Sequence, residues 1–455
     1  MPPLCTASRF LSSGYFEHKP RYLPANQHCT TLTTARYSCP AAVLQAEGLE
    51  WRTTAAECMG EQPSLASALL LGFHREKQPS RRPHQPFNRT LFILGDSTQK
   101  QAADSAFCQV AAELAADARR AKPLFNKASL DHWKWRQPPW FWHTTPSDAF
   151  QKRVVSCAAA RDARGAGSIR LCFIPCATLG RSVLEGRDAA TVSTALRRLI
   201  TRNITRATDL ALINSGSWYM GQQSCASGGL YIRDCDAAQK ADAAGVVQLA
   251  ASFASTAPRL LWRETYATHF DTPDGVYDGN ASDQLRLYAR SRGASGSRDY
   301  ANSRCRPLPP ATAKPEVLVN VSSILTAAMD GALSTAHNRG KHDAAHAGSR
   351  SSTNRSSSSS NSSNTHVAAA DRNGASAAST SAARRGSIEW LDMWSNTRNI
   401  SVAAHHERRA DGDLAPPDCL HFCMWLGIDE AVLAAVAWAA ALEHPSPCTS
   451  ELCLQ

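Results

Sequence analysis

Three short groups of residues have the types and spacing for acyl-transfer chemistry. The first is Gly95-Asp96-Ser97, which follows the apolar run Thr90–Leu94 and precedes a helical pattern. A serine hydroxyl is a weak nucleophile and needs exposure, a base and donors for the developing oxyanion. A serine in a sharp strand-to-helix turn meets the first and third needs, because N–H groups at the helix start face the reacting carbonyl. The tripeptide reads equally as a helix N-cap, for which Asp and Ser are both suited. The second group is Asp418-Cys419-Leu420-His421. An Asp three residues before a His can orient the imidazole and stabilise its protonated form. Metal binding by Cys419, His421 and Cys423 is the rival; this is not a standard zinc spacing and no matching CxxC partner is present, so no metal site is expected. The third group is Asn214-Ser215-Gly216, whose amide could donate to an oxyanion, although alone it reads as a simple turn.

The elements that must position these groups follow from apolar patterning. Thr90–Leu94, Ile169–Ile174, Asp209–Asn214, Arg259–Thr265 and Ile388–Trp394 read as strands. Helical patterns run from Ser97 to about Arg120 and over Ala189–Ile204, Ala237–Ser255, Val321–Thr335 and Ile428–Glu443. Strand–helix alternation predicts an α/β fold, a parallel sheet flanked by helices on both faces. In such folds the chemistry lies at the carboxyl ends of the strands, where Ser97 and Asn214 fall. Arg290–Lys314 reads as a long loop. His337–Arg385, with the run Ser356–Ser360, has almost no large apolar residues and is expected to be disordered. The expected organisation is a Cys-rich N-terminal segment over 1–89, a catalytic domain over 90–336, a low-complexity insertion over 337–386, and a catalytic C-terminal part over 387–455.

Composition narrows the setting. The net charge of +10 favours acidic partners, but the basic residues are scattered and no dense run is interleaved with aromatics, so nucleic acid is not expected. Fifteen cysteines and Asn-x-Ser/Thr sequons at Asn88, Asn203, Asn280, Asn320, Asn354, Asn361 and Asn399 together favour a lumenal, oxidising compartment. Met1–Lys19 lacks the apolar stretch of a signal peptide, and Ala431–Leu442 is too short to span a membrane. A lumenal protein would need a signal or membrane anchor outside this chain, so the N-terminus is expected to be incomplete.

Taken together, these motifs resemble the SGNH, or GDSL-like, hydrolase superfamily. Closer features resemble its PC-esterase branch, in particular the trichome birefringence-like polysaccharide O-acetyltransferases. Gly14-Tyr15-Phe16, Tyr22-Leu23, Cys29, Cys39 and Leu49-Glu50-Trp51-Arg52 ahead of Cys58 are similar to that family's Cys-rich N-terminal run. Leu91–Gln101 resembles its GDS block, Ile213–Tyr219 its NTGHWW block and Trp262–Phe270 its RTxSPxHF block. Leu391–Trp394 and Pro417–Cys423 resemble the closing LD and DCxHWC blocks. The family usually has Arg where this chain has Lys100, and His where it has Ser217.

The resemblance implies an SGNH-like fold with Ser97 as nucleophile, His421 as base and Asp418 as its orienter. Asn214 and the Ser97 N–H would form the oxyanion hole. Gly95, Lys100 and Arg263 would shape the oxyanion or substrate site, with His269 structural. Cys29, Cys39, Cys58, Cys419 and Cys423 would be disulfide cysteines, and a bridge from the N-terminal segment to the DxxH loop would clamp the site. The implied activity is transfer of acetyl to a polysaccharide or glycan hydroxyl in the Golgi lumen. No cofactor is expected to be bound. The donor stays open, with acetyl-CoA and an acetylated intermediate as candidates. A carbohydrate acetylesterase with the same triad and a non-catalytic glycan-binding protein are the alternatives.

Overall fold

A computed structural model describes residues 5–21, 41–71, 88–135, 155–175, 202–204, 208–214, 259–269, 308–314, 319, 323, 388–400, 422 and 425–441. The expected strands are present. Strand β1 (Gly14–His18) pairs with β2 (Leu49–Thr53) as an antiparallel ribbon, apart from the main sheet. The main sheet contains β3 (Arg89–Gly95), β4 (Ser156–Arg161), β5 (Ser168–Pro175), β6 (Leu210–Ile213), β7 (Arg259–Arg263) and β8 (Ile388–Leu391). Their spatial order is β4-β5-β3-β6-β7-β8, parallel throughout except where β4 pairs antiparallel with β5.

Residues Arg89–Gly95 of β3 are buried at every position. That explains its unbroken apolar run, since a central parallel strand is covered on both faces. The edge strand β4 and its turn into β5 were not anticipated. The turn closes through Asp162 N–H donating to Gly167 O at 3.0 Å and Gly167 N–H donating to Asp162 Oδ1 at 2.9 Å. Asp and Gly around a reversal were the available signal. Ile388–Trp394 is shorter as a strand than expected. β8 stops at Leu391, and Trp394–Thr397 turns into a short helix.

The α-helices with defined bounds among the described residues are α1 (Ala7–Ser12), α2 (Ala41–Glu47), α3 (Leu65–Leu71), α4 (Ser97–Asp117), α5 (Ser129–His132), α6 (Trp394–Thr397) and α7 (Ile428–Ala441). Helix α7 is buried on all faces, as its Ala-rich apolar sequence requires, and packs against α1, α3 and α4. The expected helices over Ala189–Ile204, Ala237–Ser255 and Val321–Thr335, which would cover the other face, lie mostly or wholly outside the described residues. So does the expected disordered insertion. Among the described residues, no helix is long and apolar enough to cross a membrane.

The N-terminal segment packs on the same core as the sheet. Ser8 N–H donates to Glu389 Oε1 at 2.7 Å, Asn396 Nδ2 to Leu11 O at 3.0 Å, and Leu49 N–H to Leu426 O at 2.7 Å. Cys58 is bonded to Cys5, within the N-terminal segment, so it is not the link to the DxxH loop. Cys5 was not among the expected cysteines. A second disulfide joins Cys157 to Cys172 across β4 and β5, at directly paired positions. Cys29, Cys39, Cys419 and Cys423 lie outside the described residues.

Candidate functional site

The parallel strands were laid down outward from β3: β5 lies on one side, then β6, β7 and β8 on the other. The chain therefore changes direction across the sheet between β3 and β6. In open α/β sheets, ligands bind at such a switch point, beyond the carboxyl ends of the strands. The residues leaving those two strands are Gly95-Asp96-Ser97 and Asn214.

Gly95 makes the turn possible. Its φ is +154°, and a Cβ there would meet Asn214 O at 2.7 Å and the Gln99 Cβ at 2.7 Å. Only glycine lets the two strand ends approach this closely. Asp96 is the N-cap of α4: its Oδ1 accepts from Thr98 N–H at 2.9 Å and from Thr98 Oγ1 at 2.7 Å. Ser97 is the first residue of the helix and is 3% exposed, so the turn does not give it the exposure expected from the sequence. The capping reading of this tripeptide therefore holds for Asp96, and it fixes the turn that carries Ser97.

The next turns of α4 are unusual. Thr98, Gln99, Lys100, Gln101, Asp104 and Ser105 are all buried. Buried polar residues are more informative than buried apolar ones, because each must be offset by partners. Gln99 Nε2 donates to Leu212 O at 3.1 Å. Lys100 Nζ donates to Asp104 Oδ2 at 2.5 Å, one turn on. Burial pushes the Asp104 carboxyl above its ordinary range, and the Lys100 ammonium pulls it back. Lys100 is thus committed within its own helix. Gln101 Nε2 donates to Phe422 O at 2.8 Å.

Asn214 is fully buried. Its Nδ2 donates to Arg263 O at 3.0 Å and to Thr265 Oγ1 at 3.3 Å, while Oδ1 has no hydrogen-bond partner. Both amide hydrogens therefore go to the end of β7 and the residues just after it. Arg263 is also 0% exposed. Its Nη2 donates to Thr98 Oγ1 at 2.8 Å, and its guanidinium carbon lies 4.1 Å from the centre of the Tyr266 ring. Its Nε and Nη1 have no hydrogen-bond partner.

A second polar group, which sequence reasoning missed, lies behind this one. Tyr266 Oη donates to Asp429 Oδ1 at 2.7 Å, and Ser105 Oγ to Asp429 Oδ2 at 3.3 Å. Burial pushes Asp429 up to about 6, and Tyr266 well above its ordinary value. Glu264 is pushed up to about 8 by burial and by Asp392, against the pull of Lys314, whose Nζ donates to Glu264 Oε1 at 2.6 Å. Glu264 Oε2 also accepts from Trp394 N–H at 3.1 Å, so it ties β7 to α6. Isolated acids in otherwise apolar runs, such as Asp429 at the head of α7, were the available signal.

Asp418 and His421 lie outside the described residues, as does Ser217. Phe422, the residue after His421, is described. Its ring meets the edges of Tyr266 at 5.5 Å and His269 at 5.7 Å, both near perpendicular. Between Phe422 and α7, Trp425 adopts φ 74°, a conformation costly for a bulky residue. Among the described residues no group of His, Cys, Asp and Glu is arranged to hold a metal. No protein-family model, no curated protein and no solved structure matches this chain.

Proposed function

We propose that this chain is a serine-dependent O-acyltransferase that moves an acetyl group to a glycan hydroxyl in the secretory pathway. The observation that carries the reading is the Gln101–Phe422 hydrogen bond at 2.8 Å. Ser97 and Gln101 are four apart on α4 and so share a face. Gln101 holds the carbonyl of the residue that follows His421. Phe422, the residue after the proposed base, is thereby bonded to a side chain one helical turn from the proposed nucleophile. The switch-point position of Ser97 and the Cys5–Cys58 and Cys157–Cys172 disulfides, which suit an oxidising compartment, agree with this reading.

In the first step Ser97 Oγ attacks the acetyl carbonyl while His421 takes its proton, with Asp418 stabilising the imidazolium. N–H groups at the start of α4 and the helix dipole stabilise the oxyanion. The donor's leaving group departs with the proton from His421, leaving acetyl-Ser97. A sugar hydroxyl then attacks, giving its proton to His421, and Ser97 Oγ recovers that proton as the product ester leaves. Water in place of sugar makes the same site an esterase.

The test is turnover of an activated acetyl ester, with and without xylan- or pectin-type oligosaccharides, by wild type and Ser97→Ala. Loss of turnover in the variant and acetylated oligosaccharide from wild type are expected. Equal turnover in both proteins contradicts the serine mechanism. Acetate as the sole product would make the chain an esterase.

A further inference from the structure

We infer that Arg263 is a positioning residue for the nucleophile turn, acting through Thr98, and not a substrate contact. This rests on the proposed role of Ser97. The geometry has three parts. The Arg263 guanidinium is fully buried and gives Nη2 to Thr98 Oγ1 at 2.8 Å. Thr98 Oγ1 in turn donates to Asp96 Oδ1 at 2.7 Å, and that same oxygen accepts the Thr98 N–H at 2.9 Å. The backbone carbonyl of Arg263 accepts from Asn214 Nδ2 at 3.0 Å. One residue at the end of β7 thus holds both polypeptide ends of the switch point: the turn after β3 through its side chain, and the residue after β6 through its main chain.

Charge explains why the residue is arginine. A buried guanidinium is costly without an opposite charge nearby. The carboxylate of Asp96, also 0% exposed, stands one hydroxyl away, and its Oδ2 has no hydrogen-bond partner. Thr98 therefore relays a buried Arg–Asp pair across the residue that carries the nucleophile. Asp96 is held in its capping rotamer from two sides, by the helix N–H and by the Arg-bound hydroxyl. Tyr266 covers the open face of the guanidinium and connects it to Asp429 at the head of α7. A lysine could reach Thr98 but lacks the planar group that lies on the Tyr266 ring.

A substrate contact and a positioning residue separate in two measurements on the full chain. The first is hydrogen exchange of the peptide spanning 95–101 in wild type, Thr98→Val, Thr98→Ser and Arg263→Lys. Faster exchange in Thr98→Val and Arg263→Lys, with wild-type protection restored in Thr98→Ser, is expected. Unchanged exchange in Thr98→Val overturns the inference, whatever the protein catalyses. The second is the rate at which a small sulfonyl fluoride, too short to touch a glycan subsite, labels Ser97. Wild type should label at Ser97, and Thr98→Val and Arg263→Lys about tenfold more slowly, as loss of a charged hydrogen bond implies. Equal labelling rates, with an effect confined to KM for oligosaccharide, would make Arg263 a substrate contact and overturn the inference. No labelling of wild type, with the exchange pattern intact, contradicts the serine reading and leaves the clamp standing.

Discussion

The two ends of the sheet are built from the same residue types and use them differently. At the amino end, Arg89 Nη1 donates to Ala68 O at 3.1 Å and also to Ala440 O, and Arg259 Nη1 donates to Ala439 O. Asp209 Oδ1 accepts from Thr90 N–H at 3.1 Å. These bonds satisfy helix C-terminal carbonyls and strand ends, and they fasten α3 and α7 to the sheet. At the carboxyl end, Asp96 Oδ2, Gln99 Oε1, Asn214 Oδ1 and two nitrogens of Arg263 are buried without hydrogen-bond partners. Buried polar groups are normally paired, so a concentration of unpaired ones is unfavourable for stability. On the proposed reading, the carboxyl end gives up some stability for chemistry, and the amino end does not.

The strongest way to break this contrast is at Gly95. Gly95→Ala puts a side chain at φ +154° and within 2.7 Å of Asn214 O. It should cost about 3 kcal/mol and abolish turnover, read by chemical denaturation and ester hydrolysis. Arg89→Met should separate the two effects: stability falls by roughly 2 kcal/mol as charged hydrogen bonds are lost, while kcat of the folded protein is unchanged. A fall in kcat without a fall in stability would erase the distinction between the ends.

Gln101→Leu sharpens the account of the DxxH segment. It removes the bond to Phe422 O from a nearly isosteric, buried side chain, so kcat should drop about tenfold with KM unchanged and a stability loss of about 1 kcal/mol. A pH-dependent effect is expected at Asp429, raised to about 6 by burial from an ordinary 3.8. Folded protein then binds this proton more tightly than unfolded chain. Its contribution is fully present below about pH 4 and is lost as pH rises through about 6. Asp429→Asn removes that dependence, so the variant's stability relative to wild type should rise by roughly 2 kcal/mol between pH 4 and 8. Parallel stability curves for the two proteins over that range would contradict the buried-acid assignment.

The contrast also explains what was legible in sequence. β3 and β5 to β7 were readable because central parallel strands are mostly apolar runs, as in Leu91–Leu94; β8 lies at the edge of the sheet. The ribbon β1–β2 was not, because its residues are half-exposed and its partners are far apart in the chain. Ser97 and Asn214 could be named from the turn residues beside them. Arg263 could be named but its use could not, because a relay through Thr98 depends on three segments meeting. Gln101 left no pattern of its own, since it is one polar residue in a helix and only packing shows that it is buried; Asp429 showed only as an acid at the head of an apolar run.

The central claim is that Ser97 forms a covalent acyl intermediate, and the most direct measurement is to trap it. Wild type mixed with an activated acetyl ester and quenched in acid within the first turnover should carry acetyl on the peptide containing Ser97, and Ser97→Ala should carry none. Turnover by wild type with no acyl adduct at Ser97, or the same adduct in Ser97→Ala, would contradict it.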